Sequence, residues 1–137
     1  MKAFNNLSKL VLILMLSLMT VSSSKAALDS KGTDFWLMFN GNLGTPTLTL
    51  FITSDVNTSG TVDIPGLAFS TPFSVTANTV TSVVIPSSVA SHTSDVVDNL
   101  GIHVTSVQEV TVYGLNYIAF TTDAYLGLPT DILGTDY

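Results

Sequence analysis

The chain contains no cysteine and no arginine. The first absence excludes a disulfide framework, a thiolate metal site and a lipid-modified N-terminal cysteine. A small domain without disulfides must be held together by its core. The second absence removes the side chain best suited to binding phosphate, and nucleic acid and anionic membrane surfaces are therefore not expected partners. Catalytic signatures are missing as well. There is no Gly-x-Ser-x-Gly elbow, no glycine-rich phosphate loop and no His/Cys ligand cluster. The two histidines have no partner residues in sequence that suggest a triad or a metal site. His92 lies in a Ser/Thr-rich loop. His103, between Ile102 and Val104, falls on the solvated face of a strand. Both read as ordinary surface histidines. Asp95 and Asp98 are spaced to share a face, but in an irregular segment that gives them no cleft. The chain is expected to be non-enzymatic and to need no cofactor.

Charge and hydropathy are unevenly distributed. Lys2 and Lys9 precede an apolar run, Leu10 to Val21, and a small-residue stretch, Ser22 to Ala26, with Ser24 and Ala26 at the −3 and −1 positions of a cleavage site. This is the layout of a secretory signal peptide over residues 1–26. Twelve apolar residues reach about 18 Å as a helix, short of the roughly 30 Å hydrocarbon core, so a stable membrane span is not expected. The remaining domain, 27–137, carries one lysine, Lys31, against all ten acids, a net charge of −9. A secreted, extracellular or cell-surface location is expected, by a bacterial type of export route.

Within 27–137 the residue pattern is that of strands. Phe35 to Phe39 is a run of five large apolar residues and reads as a strand buried on both faces. Thr47 to Thr53 alternates, with Leu48, Leu50 and Ile52 on one face. Gly60 to Ile64 ends at the turn dipeptide Pro65-Gly66. Leu67 to Ala77 and Thr79 to Ile85 form two more strands joined near Asn78, and Pro72 assigns the first to an edge or a bulge. Ser87 to Asn99 has no strand pattern. Ile102 to Thr105 and Val110 to Ile118 complete the set, separated by the polar break Ser106 to Glu109. Roughly seven short segments with turn signals between them predict an all-β fold, an antiparallel β-sandwich, with a β-barrel as the alternative.

The stretch Glu109 to Tyr137 is the densest in residues able to bury or bind. Four of its five aromatics are tyrosines, which pack a ring and still offer a hydroxyl. Val110 to Ile118 reads as a central strand and Thr121 to Tyr137 as a loop region. Tyr113, Asn116, Tyr117, Asp123 and Tyr125 are the candidate ligand-binding residues, since tyrosines and amides at a strand-to-loop transition make good anchors. Asp123, Asp131 and Asp136 lie beside Thr121, Thr122, Thr130 and Thr135 and offer oxygen ligands for calcium. The alternating Asp-x-Asp pattern with a spaced Glu is missing, so no metal site is assigned. The sequon Asn57-Thr58-Ser59 lies in a turn region.

Several stretches resemble, in order, the N-terminal domain of IgGFc-binding proteins. They are Gly32-Thr33-Asp34-Phe35-Trp36, Leu48 to Ile52, Ile64 to Ser70, Asn99 to Ser106, Val110 to Asn116 and Thr121 to Asp131. The resemblance implies a bacterial secreted or surface member with a binding or adhesion role. It also implies an extracellular protein or glycoprotein ligand: host mucus, a cell surface or immunoglobulin. The resemblance covers only the front part of the family domain, and Leu126, Leu128, Ile132 and Leu133 would then lack partner strands. Two further readings stand beside it, a calcium-assisted carbohydrate-binding or hydrolytic β-sandwich and a truncated structural fragment.

Overall fold

The computed structural model describes residues 29–133. The signal-peptide expectation, residues 1–26, lies outside the described residues, as do Thr135, Asp136 and Tyr137. Seven strands run β1 (Gly32–Leu37), β2 (Thr47–Thr53), β3 (Thr58–Ile64), β4 (Phe69–Val75), β5 (Val80–Ile85), β6 (Ile102–Ile118) and β7 (Thr121–Leu126). All strand pairs are antiparallel. No helix among the described residues is long and apolar enough to cross a membrane.

The number of strands matches the sequence expectation, but two of them are built differently. Ile102 to Thr105 and Val110 to Ile118 belong to one continuous strand of 17 residues. The polar break Ser106 to Glu109 is the place where β6 leaves one ladder and joins another. Its first part pairs with β1 and β3, and its second part with β2 and β7. Four exposed or half-exposed residues can cross in extended form because a strand needs burial on neither face while its backbone stays extended. The second difference is β7. Thr121 to Leu126, expected as loop, forms a hairpin with β6 through Ala119-Phe120, where Phe120 takes a positive φ of 75°.

Two four-stranded ladders result, β4-β3-β6-β1 and β5-β2-β6-β7, joined through β6. The sheet nearly closes into a barrel, so the sandwich and barrel expectations describe the same object. On one side the Thr81 hydroxyl of β5 donates to Ser74 O of β4 at 2.7 Å. On the other, Pro129 bridges to Phe35 of β1.

The core follows from alternation. Phe35, Leu37 and Phe39 are buried with Leu48, Leu50, Ile52, Val62, Ile64, Ile102, Val104, Val110 and Val112. Each such side chain contributes about 1.5–3 kcal/mol by leaving water. The expectation that Phe35 to Phe39 is buried on both faces does not hold. Trp36 and Met38 point outward, because one face of each antiparallel ladder meets solvent.

Candidate binding face

Alternation along the second half of β6 decides where the candidate residues go. Val112, Gly114 and Asn116 turn inward, and Tyr113, Leu115 and Tyr117 turn outward. The five candidates therefore separate into two groups.

Asn116 and Tyr125 belong to the interior. Asn116 is buried. Its Nδ2 donates to Asn40 O at 2.9 Å, and its Oδ1 accepts from Asn42 Nδ2 at 3.0 Å. Asn42 also donates to Thr121 O at 3.1 Å and accepts from the Thr121 hydroxyl at 2.8 Å. This network fastens the loop after β1 to the β6–β7 hairpin. Tyr125 lies over its cross-strand partner Gly114, where an added Cβ would stand 2.6 Å from the ring. It meets Phe39 edge-on with centroids 5.4 Å apart. Its hydroxyl donates to Met38 O at 2.8 Å, tying β7 to the chain after β1. Burial pushes this phenol up to about 12. Asp123 pairs in register with Asn116. It lines a cleft of about 330 Å³ with Met38, Asn40, Gly41 and Tyr125. The polar groups there are largely committed to one another.

Tyr113 and Tyr117 stand on the outer face of the β5-β2-β6-β7 ladder, 45% and 53% exposed. Register fixes their neighbours. Leu126, Tyr113, Phe51 and Ser82 form one row across the four strands. Ala124, Leu115, Thr49 and Val84 form the next, and Thr122, Tyr117 and Thr47 the third. None of these side chains is charged at neutral pH. Thr49, in the middle, is buried beneath its neighbours. The two tyrosines are four residues apart on one strand, about 13 Å. The result is a broad uncharged surface with an aromatic at either margin.

The opposite ladder carries a cluster that sequence reasoning missed. Trp36 stacks on its cross-strand partner His103, with centroids 4.3 Å apart and planes 7° from parallel. His103 Nε2 meets Asp34 Oδ2 at 2.8 Å. Asp63 lies across from His103 on β3. Hydrogen bonds from Ser70 and Thr61, with the nearby His103, hold its carboxyl below the usual carboxylate range. No hydroxyl among the described residues hydrogen-bonds His103, whose ring partners are Trp36 and Asp34. The chain's single tryptophan makes this stack observable by fluorescence. His103→Ala removes the stacked ring and is expected to change the intensity and wavelength of Trp36 emission. Emission identical in the folded variant and the parent would break the assignment.

At one end, Lys31, Ser54, Asp55, Gln108 and Glu109 line a second cleft of about 350 Å³. Lys31 is ion-paired with Asp55. The hydrogen bond and the charge of Asp55, with Asp29 and Glu109 nearby, raise the lysine pKa. Asp123 and Asp131, offered above as calcium ligands, sit on β7 and on the turn Thr130–Ile132. Among the described residues no three His, Asp or Glu side chains gather as a metal would require. Compared with family models, with curated proteins and with solved structures, the chain matches none.

Proposed function

We propose that this chain is a secreted or cell-surface, non-enzymatic binding domain that docks an extracellular protein or glycoprotein through the outer face of the β5-β2-β6-β7 ladder. The carrying observation is the contrast on its own surface. The chain has ten acids, yet the three rows around Tyr113 and Tyr117 hold none. A surface that excludes charge while exposing tyrosines and Leu126 has the composition of an interface centre, where charged residues are depleted and tyrosine is enriched. The resemblance to IgGFc-binding N-terminal domains points to the same role. Mucin, cell-surface glycoprotein and the Fc portion of immunoglobulin are the ligands it suggests.

The test is surface plasmon resonance of the purified chain over those three surfaces. Tyr113→Ser with Tyr117→Ser is expected to weaken binding about 30-fold or more, the loss of a hot spot of about 2 kcal/mol. Both side chains face solvent, so the circular dichroism spectrum stays that of the parent. Undiminished affinity in the folded double variant would remove this face from the assignment. Absence of binding to all three surfaces would remove the reading itself.

A further inference from the structure

The two ladders together have four edges. β1 is covered by Pro129, bridged to Phe35, and by the turn Thr130–Ile132 behind it. β4 and β5 lie against each other through the Thr81–Ser74 hydrogen bond. β7 is left, because its only ladder among the described residues is the one with β6.

Natural sheets protect such an edge with proline, lysine, a bulge or an overlying segment. β7 reads TTDAYL and pairs with β6 in unbroken register from Ile118–Thr121 to Tyr113–Leu126. It contains no proline, glycine or lysine and no bulge. Asp123 is its single charge.

Gly127 N–H donates to Val112 O at 2.8 Å. Hydrogen-bonded and non-hydrogen-bonded pairs alternate along an antiparallel ladder, so Tyr125, Asp123 and Thr121 turn their backbone groups toward β6. Thr122, Ala124 and Leu126 turn theirs outward.

We infer that β7 is a self-association edge, and that two copies of this chain join through antiparallel β7–β7 pairing about a two-fold axis at Ala124. Two-fold pairing that keeps the outer faces on one side places a residue opposite its own copy. With Asp123 on the axis, two carboxylates would oppose each other directly, which is destabilising. With Ala124 on the axis, each Asp123 stands across from Tyr125 of the other copy and Thr122 across from Leu126. All three outward-turned residues then pair, forming about six backbone hydrogen bonds. The uncharged outer faces of the two copies become one continuous surface, and β7 itself carries no acid besides Asp123. Each copy is acidic overall, so salt that screens the net repulsion tightens the pair.

Sedimentation of the purified chain from about 1 µM to about 1 mM is expected to show a monomer–dimer equilibrium that strengthens with salt. Ala124→Lys puts two like charges on the axis while leaving an exposed outward position, and is expected to raise the dimer dissociation constant about tenfold or more. Tyr117→Ala, on the outer face, leaves it unchanged. Amide exchange in the unmodified protein adds a readout independent of any variant: Thr122, Ala124 and Leu126 gain protection with concentration. A chain that is monomeric throughout overturns the inference. So does a dimer indifferent to Ala124→Lys but lost with Tyr117→Ala, which would place association on the face. Neither result depends on the ligand-binding assay, so this inference and the proposed function fail separately.

Discussion

Gly60→Ala is expected to destabilise the fold by about 3 kcal/mol, the upper end of what overpacking costs. Gly60 sits on β3 between Phe73 of β4 and Ser106 of β6. A Cβ there would overlap the carbonyl oxygen of Thr105 and stand 2.5 Å from the Phe73 ring. A flexible side chain can swing aside at small cost, but a backbone carbonyl in a ladder cannot. Either β3 lifts from β6 where β6 begins its crossing, or Phe73 leaves its buried place. For a domain of this size, total stability is about 5–15 kcal/mol. The loss is therefore a large fraction of what holds the molecule together. Urea denaturation should show a lower midpoint with an unchanged slope. A change below about 0.5 kcal/mol would mean that β3 and β6 stand further apart than described.

Replacing Tyr125 should be nearly as damaging, and the reason separates packing from hydrogen bonding. Tyr125→Ala removes the ring from Phe39 and Gly114 together with the tie to Met38 O, a loss of about 3 kcal/mol. Tyr125→Phe keeps the ring and loses only the hydroxyl, about 1 kcal/mol. The phenol also gives the pair of variants an alkaline signature. Its folded pKa of about 12 lies above the ordinary value of 10.0. Between the two, the unfolded chain gives up the proton while the folded chain retains it, so stability falls as pH rises through that window. Tyr125→Phe has no such proton. The difference in stability between parent and Tyr125→Phe, measured by denaturation at a series of pH values, should shrink from pH 10 upward. A difference independent of pH would show that the hydroxyl is not enclosed.

The fold class was legible because alternation is a local property. Leu48, Leu50 and Ile52 announce a one-sided strand whatever pairs with them. The merger of two predicted strands into β6 was not legible, since Ser106 to Glu109 is polar for a reason outside its own sequence: it spans the gap between ladders. β7 was missed for a related cause. An edge strand exposed everywhere but at Tyr125 shows no alternation, and Thr-Thr-Asp looks like a turn.

The candidate residues divide along similar lines. The inward direction of Asn116 follows from its phase with Val112 and was available in the sequence. Its hydrogen-bonding partners, Asn40 and Asn42, were not. The Trp36–His103–Asp34 cluster needs the register between β1 and β6, which joins residues 69 positions apart, and no spacing rule would have found it. Tyr113 and Tyr117 were chosen for their chemistry. The uncharged surface around them emerges only when four strands are laid side by side.

The shared strand has a consequence for how the molecule comes into being. β6 begins at Ile102 and is the direct partner of β1, β2, β3 and β7. Until it leaves the ribosome, the strand ladders open to the preceding described residues are the β3–β4 hairpin and the β2–β5 pair. Neither encloses the core, so this domain stays open until β6 emerges. Closure then requires many distant segments to meet on one late strand, which places folding in the slow, millisecond-to-second class of non-local β topologies. A domain in which one strand, arriving after five others, completes both layers has an extended interval in which it can be threaded, held or captured before it becomes a compact body.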